Sequence, residues 1–450
     1  MQHAPASFTT GSVTRHVMAM ATTSALSLLA LFVVDILTLV YVSMLHDQTL
    51  LAAAGLAKTL IFINGAFASG LILAAGAVVS ARTARNDVHH VPRLVTHMLL
   101  MVLIVAGTIA ALELATMAHL ARWLGADIEV YREARTFIWI ALPASVAVAA
   151  MQMCAQMLRA QGHIRLALMV VLSGALVLAL ADPLFIFALD LGLEGAGIAY
   201  LLSAVVSLVL GLVLVRRHVG LSTTLSLKLL RVHARLTLKM ALPPMLANLA
   251  MPVGITYLML VMVQQGTAAL AGMAVIDRVL QLGYCVFFAL PGALVPVMAQ
   301  NLGAGRDERT RHAIVTARRL VLLYGFSLWL LLIVFGPAIG DYFELQGAGR
   351  EMFLAFCRYG AGAWVLFGLD FVAQSVFLTT GHAWWIAVFG WLRGTAGTVP
   401  FVFAGAHWFG GSGALIGMWC GNGLVAAAAI TVAAVQARRF FAARGIAAAG

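Results

Sequence analysis

Asp35 is the residue of this sequence that most needs a chemical reason. It stands within Leu26–Ala57, an apolar run long enough to cross a bilayer. An ionisable side chain at that depth costs roughly 2.5–3.5 kcal/mol on insertion scales, so it is retained where it faces an interior cavity or a partner. Its chemistry would be reversible protonation or capture of a cation. The plain alternative is a structural hydrogen bond between helices. Other polar groups sit in apolar runs as well. Asp277-Arg278 reads as an internal ion pair or a contact to the neighbouring bundle, with contact to a substrate as the alternative, and Lys58 reads as a snorkelling or acid-paired cation. Gln152, Gln156, Asn248, Gln264 and Gln374 are cavity donors or bonds between helices. No HExxH, no clustered metal ligands and no GxxxxGK[ST] phosphate loop occurs, and His89-His90 sits in a basic loop. Neither enzymatic nor ATP-driven chemistry is expected, and no metal or organic cofactor.

Composition sets the elements that must position these residues. The chain is 62% hydrophobic and 10% charged over 450 residues, against about 25% charged in average proteins. Its apolar runs are about twenty residues or longer, helical rather than barrel-strand lengths. The reading is an all-α integral membrane protein with twelve transmembrane helices, near 17–45, 51–79, 94–117, 136–157, 166–189, 196–215, 238–263, 269–298, 316–338, 352–379, 384–407 and 412–436. The first span is too long for a signal-peptide core, which predicts that it is retained. Cys154, Cys285, Cys357 and Cys420 lack metal-ligand spacing and read as packing residues.

Arginine and lysine in the loops then fall 20 on one side and 5 on the other. The positive-inside rule makes the richer side, with both termini, cytoplasmic. The net charge of +11 is thereby explained by topology and anionic lipid, without nucleic acid. The basic stretch from Arg216 to Lys239 reads as a linker, its amphipathic part predicted to be a helix lying on the membrane surface. The domains are accordingly an N-terminal lobe over 1–215, a cytoplasmic linker over 216–237 and a C-terminal lobe over 238–450.

The two lobes resemble each other. Gly162-His163 recurs as Gly381-His382, Pro183 as Pro400, Glu194-Gly195-Ala196 as Ser412-Gly413-Ala414, and Ala54-Gly55-Leu56-Ala57 as Ala271-Gly272-Met273-Ala274, all at separations of 217 to 219 residues. Two six-helix repeats of like orientation are predicted, around a central cleft. At the common offset Asp35 falls opposite Pro252, and Asp182 opposite Val399. Packing common to both repeats therefore does not require these two acids.

Several stretches carry a family resemblance: VVDILTLVYVSML followed by LAAAGLAKTL, LRAQG at Leu158–Gly162, ADPLFIFALDLGLEGAGIA at Ala181–Ala199, and LPGALVPVMAQNLGAGRDERTRHA at Leu290–Ala313. The last contains Gln300-Asn301-Leu302-Gly303-Ala304-Gly305, which resembles the QNxGAG signature of the multidrug and toxic compound extrusion (MATE) transporters. The likeness runs from about residue 16 to 436 and is of the prokaryotic type. It implies an antiporter that exports cationic, amphipathic compounds against protons or sodium. It also implies that Asp35 and Asp182 are the first- and fifth-helix acids linked to cation coupling. Asp370 resembles an acid of the tenth helix.

There are departures from the pattern. Leu178 stands where some relatives have Asn, Lys239 to Gln265 contains no acid, and Ser80 to Asp87 offers no full counterpart of the GAG loop. They favour the proton as coupling ion, with sodium second.

The expected function is secondary antiport of cationic or amphipathic drugs or metabolites by a single multi-pass chain in a bacterial inner membrane. Asp35 and Asp182 are the expected coupling pair, releasing their protons in coupled steps. Pro183, which removes a helical hydrogen bond, is the expected hinge. Asp277, Asp370, Gln152, Gln156, Asn248 and Gln374 are candidates for the substrate cavity. A lipid-linked oligosaccharide flippase is the alternative within the same broad superfamily, and a membrane-embedded enzyme or receptor the alternative from another class. The partners are a small-molecule substrate and the lipid bilayer.

Overall fold

The computed structural model describes residues 7–45, 47–85, 90–123, 127–224 and 226–449. Asn86, Asp87 and His89 of the basic loop lie outside them. The helices are α1 (Val13–Ser43), α2 (Gln48–Ala84), α3 (Val91–Trp123), α4 (Ile128–Ala160), α5 (Ile164–Pro183), α6 (Gly192–His218) and α7 (Leu227–Gln264). There follow α8 (Thr267–Gly283), α9 (Cys285–Gly303), α10 (Asp307–Tyr342), α11 (Gly347–Ala355), α12 (Ala361–Thr379), α13 (Trp384–Gly394) and α14 (Val399–Ala449). Among the described residues there is no strand. The physical reason is the solvent: in hydrocarbon each backbone N–H and C=O must be satisfied within its own segment, which a helix does and an open sheet edge does not.

Among the described residues, eleven helical stretches are long and apolar enough to cross a membrane. The last, Trp384–Gly445, has 62 residues, ~90 Å at 1.5 Å per residue, about three times the hydrocarbon thickness. It is broken at Phe409 and Gly410, where the glycine takes φ 63°, so it crosses twice. With this stretch counted as two at its break, the described residues hold twelve stretches of spanning length, in keeping with the twelve apolar runs.

Past this break the two arms of α14 meet through glycines. A Cβ on Gly413 would overlap the carbonyl oxygen of Gly405, and one on Gly405 that of Gly413. Close backbone approach through small residues replaces the hydrophobic drive that lipid does not supply. Gly413→Val is therefore expected to lose roughly 1–3 kcal/mol by overpacking, read as a lower Tm in detergent. Gly423→Ala, where the nearest side chain stands at ordinary contact distance, serves as the unaffected control.

By packing the chain divides into two compact units, Met1–Phe8 with Leu26–Ala241, and Thr9–Ala25 with Leu242–Gly450. In the first unit small residues of α2, α4 and α6, among them Ala53, Ala57, Ala134, Ala141 and Ala196, build a buried core. Large apolar side chains such as Leu176, Leu180 and Val209 remain exposed on α5 and α6, as a lipid-facing surface requires.

The linker differs from expectation. Its basic stretch is the beginning of one 38-residue helix that continues as the seventh pass, rather than a separate surface helix. No Gly or Pro interrupts Leu227 to Ala241. The stretch is also docked on α3, where His233 Nδ1 lies 2.8 Å from His97 Nδ1 and buried Thr237 donates to Met98 Sδ at 3.6 Å.

Candidate functional site

In the first unit α1 and α5 are joined by a polar contact inside apolar packing. The Thr38 hydroxyl of α1 donates to Asp182 Oδ2 of α5, and Asp182 is fully buried with Oδ1 lacking any partner. Thr38 Oγ1 also lies 3.1 Å from the carbonyl oxygen of Val34. A hydroxyl has one donor and two lone pairs, so two proton arrangements fit the same heavy atoms. With Asp182 ionised, Thr38 donates to it. With Asp182 protonated, its O–H donates to Thr38, which turns its own proton to Val34. Both arrangements leave the heavy atoms where they are.

Asp35 precedes Thr38 by three residues, on the same face of α1. Its Oδ1 pairs with Lys58 Nζ of α2 at 2.8 Å, both side chains being part-exposed. Each acid therefore has a different partner from the one expected of an Asp35–Asp182 pair: Lys58 holds Asp35 and Thr38 holds Asp182. Helix α5 ends at Pro183 and passes into a π-helical turn, Leu184–Ala188. Proline lacks the N–H that would close the preceding helical turn, and the wider turn follows at once, with Leu189 N bonded to Leu184 O at 3.0 Å. Tyr41 of α1 packs edge-on to Phe187 of that turn, ring centroids 6.0 Å apart. So α1 grips α5 on both sides of the proline. In the second unit the corresponding Pro400 also stands beside an interruption, just after the one between α13 and α14.

The other nominated residues are distributed as follows. Asp370 of α12 is buried, and its Oδ2 accepts from Arg393 Nη2 of α13 at 2.5 Å and from Gln374 Nε2 at 2.7 Å. The Arg393 guanidinium also lies over the Phe367 ring, 5.9 Å from its centroid. Asp277 is half-buried on α8, and among the described residues it forms no ion pair with Arg278, whose Nη1 donates to Gln281 Oε1 at 3.1 Å. Gln156 is buried and packed over Gly76, while Gln152 and Asn248 are half-buried.

The Gln300–Gly305 motif builds a fastening for the N-terminal segment. Asn301 Oδ1 accepts from Arg309 Nε at 3.0 Å, and Arg309 donates to the carbonyl oxygens of Thr10 and Gly11 at 3.1 and 2.9 Å. Sequence reasoning missed Thr38, whose type is unremarkable in a span, and Glu113, a buried acid of α3. The cost argument that singles out Asp35 applies equally to Glu113.

Residues 23–184 and 243–392 match the profile of a family described as MatE. The chain belongs to the MatE family. This MATE transporter is a multi-pass membrane protein and not an enzyme. A point mutant of the MATE transporter VcmN from Vibrio cholerae has the same fold, with TM-score 0.90 and 21% identity over 95% of this chain and 98% of that one. An uncharacterised 21 kDa protein of Pseudomonas savastanoi is 38% identical over 239 residues, 50% of this chain and 75% of that protein. A FAD transporter of Shewanella oneidensis is 29% identical over 217 residues, 46% of this chain and 48% of that transporter.

Proposed function

We propose that this MATE transporter is a secondary antiporter that exports cationic or amphipathic compounds in exchange for protons. Asp182 and Asp35 carry the coupling, and Pro183 is the bend between states. The observation that carries the reading is the sealed Asp182 carboxyl, with Thr38 as a partner suited to either protonation state. Protonation from one side neutralises the carboxyl and expels a cation; deprotonation on the other restores its hold. The membrane potential supplies roughly 2.3 kcal/mol per charge moved per 100 mV, which gives the exchange direction. The arginine distribution supports a bacterial inner membrane with both termini in the cytoplasm, and one chain suffices.

The test is efflux of ethidium from proteoliposomes under an imposed proton or sodium gradient. Asp35→Asn is expected to slow proton-driven efflux roughly tenfold, the equivalent of about 1.4 kcal/mol. A wild-type rate would remove Asp35 from the coupling, and sodium-driven efflux with the proton gradient collapsed would replace the coupling ion. The likeness to a FAD transporter, together with Lys58 beside Asp35, favours a second reading, export of an anionic flavin dinucleotide. Counterflow of FAD against ethidium in the same vesicles separates the two.

A further inference from the structure

Asp35 and Lys58 form an open ion pair at a depth where charge is expensive. Lys58 stands ten residues after the start of α2 at Gln48, about 15 Å along the helix, and Asp35 lies inside the apolar run of α1. Their contact is 2.8 Å, with 35% of the Lys58 side chain and 51% of the Asp35 side chain exposed. A charged pair open to hydrocarbon would bear the desolvation of both ions, so the face of the first unit that carries it is one that water reaches.

The ion pair of the second unit is built otherwise. Asp370 is 1% exposed, and its Oδ2 accepts from both Arg393 and Gln374. A sealed carboxylate cannot change its counter-ion without stranding a buried charge. Asp35 can. An ion pair in contact with water is weak, and the lysine ammonium is a compact point charge on a flexible four-carbon stem, with no bidentate grip on its carboxylate. Another cation that reaches Asp35 therefore has little to displace.

Few other charges act here. Over 26–43 of α1, 48–79 of α2 and 167–183 of α5 the sequence contains Asp35, Lys58 and Asp182 and no other charged residue. Thr38, one turn after Asp35 on the same face of α1, reaches Asp182. With both acids ionised the three groups sum to one negative charge; without Lys58 they would sum to two. A neutral hydrogen bond would tie α1 to α2 without the cost of an ion, so what lysine adds is its charge.

We propose that Lys58 is a specificity-determining residue, a tethered cation that occupies Asp35 until a cationic compound takes its place and that limits that compound to a single charge. The sign of the cargo rests on the cation-export reading above. A monocation brings the three groups to neutrality, whereas a dication leaves an excess positive charge and is repelled by the displaced ammonium.

The test is equilibrium binding to the purified full-length chain in lipid, at one pH and with no gradient. The probes are ethidium and propidium, which share a ring system and differ by one quaternary ammonium. Lys58→Met is expected to bind ethidium roughly fivefold and propidium roughly 25-fold more tightly, since the repulsion lost with one unit charge doubles with the charge of the ligand. Lys58→Arg is expected to keep the wild-type ratio of the two affinities. Lys58→Met with Asp35→Asn is expected to return to that ratio, because the net charge is again minus one.

Unchanged or weaker binding of both dyes by Lys58→Met, or equal gains for the two, overturns the proposal while cation export stands. A wild-type protein that binds FAD and neither dye overturns the cation-export reading and the proposal with it. If Lys58→Met does not fold, reductive methylation of the wild-type lysines with isotope-labelled formaldehyde decides the point by NMR. The chain has three lysines, Lys58, Lys228 and Lys239, and methylation keeps their charge. The Lys58 signal, assigned by its loss in Lys58→Arg, is expected to shift on saturation with ethidium, and an unmoved signal overturns the proposal.

Discussion

Asp182→Asn is expected to reduce proton-driven ethidium efflux roughly 100-fold while the protein inserts and folds normally. Asparagine keeps the shape of the carboxyl and still accepts from Thr38, so the tie between α1 and α5 survives. What it lacks is the ionised state. A hydrogen bond or contact to a charged group is worth about 1.5–3 kcal/mol, and each 1.4 kcal/mol is about tenfold in an equilibrium, so losing the charge removes one to two decades of affinity for a cation. The sign with pH follows from the same chemistry. Wild-type affinity for ethidium should rise with pH as the carboxyl ionises, and the variant should bind weakly and without that dependence. Thr38→Val, which removes the partner but keeps the acid, should have a smaller effect, and near-wild-type efflux by Asp182→Asn would reduce Asp182 to a structural role.

The second large effect belongs to the other unit. Arg393→Leu is expected to destabilise the protein by about 3–5 kcal/mol, because removing one member of a buried pair leaves the other charge uncompensated. Asp370 is 1% exposed and receives Arg393 and Gln374 on the same oxygen. The expected readout is a lower Tm in detergent, largely recovered in Arg393→Leu with Asp370→Asn, where no charge remains to be stranded. A double-mutant cycle measures the coupling between them directly. If Arg393→Leu melts like wild type, Asp370 does not depend on this arginine and becomes available to a substrate.

Some of this architecture is encoded locally and some is not. The twelve passes follow from composition because a membrane helix satisfies its backbone within itself, so each span is decided by its own residues. Even the break in α14 has a local signal, the Gly410-Gly411 pair between two apolar runs. The amphipathic pattern of the linker is compatible with either a surface helix or the beginning of a long one. Only its contacts with α3 through His233 and Thr237 distinguish them.

The candidate site divides in the same way. The cost of an intramembrane charge marks Asp35, Asp182, Asp370 and Lys58 from sequence, and the same argument extends to Glu113. Their partners are a tertiary matter. Asp35 goes to Lys58, Asp182 to Thr38, and Asp370 to Arg393. Which groups meet depends on how far each helix is rotated about its axis and how closely its neighbour approaches, and a shift of one residue turns a side chain through about 100°. The sequence by itself determined which residues must find a partner; the packing of α1, α2 and α5 in one unit and of α12 and α13 in the other decided which partner each one found.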